Sequence, residues 1–248
     1  MASKVVLIGY GEAGRSFVAG GLGAMAAYDS DPAKRDGIAA EDDMVGVLNG
    51  ADAVLSLVTA DQALAAAQSA APLLDADTFF FDMNSVAPDT KRGAALAIEA
   101  AGGRYVDVAV MAPVEPARLA VPLLLSGPHA SEGADMLAAQ GFSNARALPG
   151  DVGRASSVKM IRSVMVKGIE ALTAEMMLAG EAAGVADEVL ASLGGDWASK
   201  AAYNIERMTT HGSRRAAEME EVAKTLVALG IDPVMTRGTV IRQRDMAA

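Results

Sequence analysis

The chain has 248 residues, 52% of them hydrophobic and 21% charged, which is enough apolar material for one large or two modest cores, with no stretch that reads as disordered. Its formal net charge of −10 argues against nucleic acid or an anionic membrane as partner, since both require a basic face, and leaves a small molecule as the expected one. Cysteine is absent and histidine occurs twice, so disulfides and thiolate metal sites are excluded and no metal is expected.

The N-terminal segment offers one lysine and five apolar residues before Gly9, too short for a signal-peptide core or a membrane span, and a cytoplasmic location is expected. The first predicted strand, Val5–Ile8, runs directly into Gly9-x-Gly11-x-x-Gly14, and Asp29 stands 20 residues after Gly9. Strand, glycine triplet and acid together form a dinucleotide-binding fingerprint. Gly9 permits the tight turn and Gly11 lets the backbone approach a pyrophosphate. Gly14 lets the following helix pack closely, so that its N-terminal amides face the anion. The cofactor set is therefore Gly9, Tyr10, Gly11, Glu12, Ala13 and Gly14, with Asp29 accepting from the ribose 2′-hydroxyl. The carboxylates of Asp29 and Asp31 disfavour a 2′-phosphate, so NAD is expected, and nearby Lys34 and Arg35 keep NADP as the alternative.

Further short apolar runs follow at 53–58, 78–81, 105–110 and 123–125, separated by alanine-rich helical stretches. This alternation predicts a doubly wound, mostly parallel sheet with crossover helices. The runs end in Thr59-Ala60-Asp61, Asp82-Met83-Asn84-Ser85 and Met111-Ala112-Pro113, turn segments that such a fold gathers along its ligand crevice.

Beyond Leu148-Pro149-Gly150-Asp151 the pattern becomes helical, with helices expected over 159–183, 187–208 and 214–229. Val158, Ile161, Met165, Ile169 and Leu172 recur at three- and four-residue steps, as one buried helix face requires, and Met160, Val164 and Met176 widen it. The expected organisation is an α/β Rossmann domain over 1–152 and an all-α domain over 153–248.

The Gly-rich loop, Ser56-Leu57-Val58-Thr59, the segment from Phe81 to Pro88, Tyr105-Val106-Asp107, and Gly153 six residues before Lys159 together resemble the β-hydroxyacid dehydrogenase family. That family includes the 3-hydroxyisobutyrate and 6-phosphogluconate dehydrogenases. Within it, Lys159-Met160-Ile161-Arg162-Ser163 and Arg214-Arg215-x-x-Glu218-Met219 resemble a less characterised 6-phosphogluconate-dehydrogenase-like branch. The resemblance implies an NAD(P)-dependent oxidoreductase acting on a hydroxy acid or related alcohol, with Lys159 exchanging the hydroxyl proton. It also implies Val58, Thr59, Asn84 and Ser85 near the cofactor, substrate between the domains, and a homodimer formed through the helical domain. A partly desolvated lysine suits that proton transfer. Helical spacing puts Ser163, in place of the family's asparagine, on the face of Lys159.

The chain departs from the family where a serine and two glycines usually hold the substrate carboxylate: here stand Met111, Ala112 and Pro113, which suggest a bulkier or less polar substrate group. Arg162 replaces a second asparagine, and Ala217 stands where a C-terminal lysine is usual. His211, Arg214 and Arg215 are the candidate carboxylate donors, arginine being suited to bidentate binding. Two other readings are an imine reductase-like enzyme, against which the retained Lys159 argues, and a non-catalytic dinucleotide-binding protein.

Overall fold

The computed structural model describes residues 3–36, 38 and 43–247. The chain forms two compact units, Met1–Lys159 and Met160–Ala248.

The first unit is built on a seven-stranded sheet of order β2-β1-β3-β4-β5-β6-β7. Its strands are β1 Val5–Ile8, β2 Ala24–Tyr28, β3 Ala53–Ser56, β4 Phe79–Asp82, β5 Arg104–Val110, β6 Leu123–Ser126 and β7 Ala145–Ala147. All neighbours pair in parallel except β5 and β6. The two-residue period of the strands sorts side chains into two cores, one on each face. Val5, Leu7, Leu55, Phe81, Val106 and Val108 join one cluster, while Val6, Ile8, Val54, Phe80 and Tyr105 join the other. The covering helices are α1 Glu12–Ala19, α2 Met44–Leu48, α3 Ala63–Ala70, α4 Pro88–Ala100 and α5 Ala130–Ala139.

Two strands lie outside the sequence expectation. In β2 the sequence Ala-Met-Ala-Ala-Tyr favours helix by propensity, and pairing with β1 overrides it. β7 is a three-residue edge strand whose central Arg146 is exposed, leaving almost no apolar run to read.

The second unit is helical. α6 (Arg154–Ala183) begins in the first unit and continues into it, followed by α7 (Ala186–Leu193), α8 (Trp197–Ala228) and α9 (Val234–Asp245). The break expected between Met208 and Arg214 is absent, and α8 runs through it without interruption. The helical chain instead stops at Gly194 and Gly195, both in the left-handed region, which glycine adopts at no steric cost. Gly212, which resembles a turn residue in the sequence, serves a crossing. A Cβ there would collide with the carbonyl oxygen of Gln243, so its absence allows α9 to approach the α8 backbone.

Of the expected face of α6, Met160 is buried and Val164 packs beside it, but the five residues that define the stripe face outward. Met165 is 67% exposed, Leu172 58% and Ile161 52%, and Val158 and Ile169 are also exposed in the chain. The buried face is Met160, Ser163, Lys167, Glu170 and Ala174, which keeps the helical period but is largely polar. Burial of those charges is tolerated because α8 supplies partners: Lys167 Nζ lies 2.6 Å from Glu218, and Glu170 pairs with Arg215. Met160, Ala216, Met219, Val222 and Val240 form the small apolar core beside them.

Candidate active site

The glycine loop has the geometry its spacing implies. Gly9 lies at φ +91°, and a Cβ on it would stand 2.5 Å from the Leu57 carbonyl oxygen, so the β1–α1 turn rests directly on the chain after β3. At Gly14 a Cβ would meet the Gly9 carbonyl oxygen at 3.1 Å, whereas nothing lies within 4 Å of one built on Gly11. Gly11 is the N-cap of α1 and offers no side chain to the first-turn amides. An open space over uncapped helix amides suits an anionic diphosphate. The residues therefore fit a dinucleotide. Of the flanking positions, Glu12 is exposed and Ala13 half-buried.

Asp29, at the end of β2, is only 9% exposed. Its Oδ2 accepts from Tyr10 N at 2.8 Å and its Oδ1 from Asp31 N at 2.9 Å. It thus braces the glycine loop. Arg35 donates to the Asp29 carbonyl oxygen at 2.8 Å and lies over the Tyr28 ring, while Arg15 lies over Tyr10 and donates to the Lys34 carbonyl oxygen.

The loops after β3 and β4 are joined by Asn84. Its Oδ1 accepts from Val58 N at 2.7 Å, and its Nδ2 donates to Ser56 Oγ at 3.0 Å and Asp82 Oδ1 at 2.8 Å. Thr59 beyond is exposed. Behind Asn84 lies a buried polar cluster that sequence reasoning missed. Lys91 Nζ, with no solvent exposure, donates to the Asp82 carbonyl oxygen at 2.5 Å and to Asp82 Oδ1 at 2.9 Å, and lies 3.6 Å from Asp107 Oδ1. Tyr105 OH donates to Asp82 Oδ2 at 2.7 Å. Burial pushes that phenol well above its ordinary range, and the Asp82 and Asp107 carboxylates push it further. A signal for the cluster exists in the register, since Asp82 and Asp107 are partners on adjacent strands and two buried acids side by side require a cation.

Asp107 in turn holds the start of α6. Its Oδ2 accepts from Ser126 Oγ at 2.9 Å and from Gly153 N, Ser156 N and Ser156 Oγ at 3.1 Å each, and Ser126 Oγ accepts from Ala155 N. On that pinned turn Lys159 is half-buried, and its Nζ donates to Ser85 Oγ at 2.5 Å.

The structure therefore brings Tyr10 to Asp29, Val58 to Asn84 and Ser85 to Lys159. Of the candidate substrate residues, Met111 is half-buried and Ala112 and Pro113 are exposed. In the second unit Ser163 is buried, Arg162 and Arg214 are exposed and His211 is half-buried within α8. Arg215 is buried, with Nε 3.0 Å from Glu170 Oε2 and Nη2 on Glu170 Oε1, while Gln243 Nε2 donates to Glu170 at 2.9 Å. Its guanidinium ties α8 to α6. Among the described residues no group of three or more His, Cys, Asp or Glu could hold a metal ion, and no helix is long and apolar enough to cross a membrane.

A family described as a domain of unknown function, DUF1932, matches residues 181–246. The chain is 41% identical to a conserved hypothetical protein from Sinorhizobium meliloti 1021 whose structure it matches with a TM-score of 0.76, over 98% of this chain and 88% of that one. It is 28% identical, with a TM-score of 0.74 over 98% of this chain and 96% of the other, to a conserved protein described as structurally similar to 3-hydroxyacid dehydrogenases. The chain thus carries a DUF1932 domain over residues 181–246 and is structurally similar to the 3-hydroxyacid dehydrogenases. The same fold is found in the 3-hydroxyisobutyrate dehydrogenase of Mycobacterium tuberculosis, solved with L-serine. That protein is 16% identical, with a TM-score of 0.76 over 99% of this chain and 94% of that enzyme.

Proposed function

We propose that the protein is an NAD(P)-dependent dehydrogenase oxidising the carbinol of a hydroxy acid or related alcohol. The observation that carries this reading is the amine of Lys159, half-buried against Ser85 one residue from the anchored Asn84. A nicotinamide held by the glycine loop supplies the hydride acceptor. Gly11 and the first amides of α1 bind the diphosphate, and the Asn84 loop borders the cofactor. As the free amine, Lys159 Nζ accepts the proton of the substrate hydroxyl as its carbon gives up hydride, and Ser85 Oγ orients the amine for that transfer. Ser163, one turn further along α6, supports it.

NAD is the favoured cofactor, because the carboxylates of Asp29 and Asp31 oppose a 2′-phosphate; Arg15, Lys34 and Arg35 around them make NADP the second cofactor to test. Met111, Ala112 and Pro113 favour a substrate group larger or less polar than that of a small hydroxy acid. Arg162, His211 and Arg214 are the carboxylate donors this reading retains. Arg215 is assigned to holding Glu170. The exposed stripe Val158, Ile161, Met165, Ile169 and Leu172 is a face for a second copy of the chain, which makes the working form a homodimer.

The test is reduction of NAD or NADP, followed by absorbance, over a panel of 3-hydroxy acids and larger hydroxy and sugar acids, with Lys159→Ala alongside. Turnover lost in the variant with cofactor binding intact supports the assignment. Undiminished turnover in the variant sinks the role of Lys159, and cofactor binding without turnover on any alcohol favours a non-catalytic nucleotide-binding protein.

A further inference from the structure

The buried ion cluster behind the site does more than pack. A buried salt bridge is a poor source of stability, because desolvation of the ions offsets most of their attraction. What Lys91, Asp82 and Asp107 do is join two segments that meet at the proposed catalytic pair. Asp82 grips Asn84 through both its backbone and side-chain amides, and Ser85 is the next residue. Asp107 grips Gly153 and Ser156, and Lys159 lies three residues beyond Ser156, on the same side of α6. Lys91 is the cation between the two carboxylates, and Asp107 Oδ1, which accepts no hydrogen bond, faces it at 3.6 Å.

We propose that Lys91, shared by Asp82 and Asp107, is a positioning residue that locks the loop after β4 to the first turn of α6 and so sets Lys159 against Ser85. With an uncharged side chain at 91, two carboxylates at adjacent register face each other unshielded. The pair takes up a proton, which turns an accepting oxygen into a donor and weakens its hold on the amides it grips, so that one of the two gripped segments moves. Either movement separates the lysine amine from the serine hydroxyl. The proposal concerns where Lys159 sits, and it rests on the dehydrogenase reading only for the catalytic meaning of that position.

The experiment uses the full chain with its accessible lysines reductively methylated with ¹³C, the Lys159 resonance being assigned with Lys159→Arg, free dimethyl-lysine serving as reference and Lys200, paired with Asp196, as an internal control. In Lys91→Met the Lys159 resonance is expected to move toward that of free dimethyl-lysine, while Lys200 and the far-ultraviolet dichroism stay unchanged. Ser156→Ala, which removes one donor to Asp107 and keeps every charge, is expected to give a smaller move in the same direction. It serves as the deciding variant if Lys91→Met does not fold. A Lys159 resonance at its wild-type position in whichever variant folds overturns the proposal, with or without a known substrate.

Where the panel yields a substrate, Lys91→Met is expected to lower kcat about 100-fold, the scale of a misplaced catalytic group, with cofactor binding little altered. Made on top of Lys159→Ala, the same change is expected to cost nothing more. An equal loss in both backgrounds overturns the positioning role and leaves Lys91 a structural residue.

Discussion

The Lys159 amine donates to Ser85 Oγ at 2.5 Å across 74 residues of sequence, joining the first turns of α6 to the loop after β4. Loss of the hydroxyl removes the group that fixes the amine and leaves the amine itself in place. Ser85→Ala is therefore expected to lower kcat about tenfold, the worth of one hydrogen bond. Lys159→Ala, which removes the proton acceptor, is expected to cost about 100-fold or more. Steady-state kinetics on the pair check the order, and Ser85→Ala as damaging as Lys159→Ala would contradict it.

Gly9 makes the closest backbone approach in the loop, against the Leu57 carbonyl oxygen. A methyl group at Gly9 has no room and an unfavourable φ, so the turn must shift away from the chain after β3. Gly9→Ala is expected to weaken binding of NADH at least about tenfold, measured by fluorescence titration, and to lower the melting temperature. Gly11→Ala, where a Cβ meets nothing, is expected to leave the fold intact and to weaken cofactor binding by obstructing the diphosphate.

Arg215 and Glu170 can be tested as a structural pair. Arg215→Ala strands a buried carboxylate and is expected to destabilise the protein by about 3–5 kcal/mol, whereas Arg215→Met combined with Glu170→Leu recovers most of the loss. Urea denaturation of the single and double variants decides the matter. A stable, folded Arg215→Ala protein that has lost only turnover would return Arg215 to the substrate.

Tyr105 gives a pH dependence of definite sign. Its phenol is held protonated by burial and by two carboxylates, so its folded pKa lies above the unfolded value of about 10. The stability it contributes is complete below about pH 10 and is lost as pH rises through the folded value. The denaturation midpoint is expected to fall more steeply above about pH 10 in the wild type than in Tyr105→Phe. Parallel profiles for the two proteins would remove Tyr105 from the alkaline transition.

The exposed stripe on α6 predicts self-association. Met165→Asp places a charge in its middle and is expected to convert a sedimenting dimer into a monomer without unfolding it. A variant that remains dimeric would assign the association to another face.

The fingerprint was legible because three independent conditions coincide: the apolar strand Val5–Ile8, the glycine spacing, and an acid at the end of the next strand. That next strand was not, because Ala24–Tyr28 owes its extended form to β1 and not to its own alanines. The period of α6 was correctly readable and its buried side was not. Lys167 and Glu170 mark a solvated face until Glu218 and Arg215, more than forty residues later, neutralise them, and periodicity carries no information about such partners. Lys91 is hidden for the same reason. A lone lysine in the first turns of a helix reads as solvent-facing, and only the pairing of Asp82 with Asp107 shows why it is inside.

The two glycines between α7 and α8 have a consequence for motion. From residue 181 to residue 200 no side chain is buried within the chain, and α7 ends at a pair of residues whose backbone is the least restrained of any type. Its helical hydrogen bonds open at little cost in packing, because almost no apolar surface is uncovered when they do. The amides of α7 are therefore expected to exchange with deuterium ahead of those in α8 and the sheet, and Gly194-Gly195 to be open to cleavage by a protease.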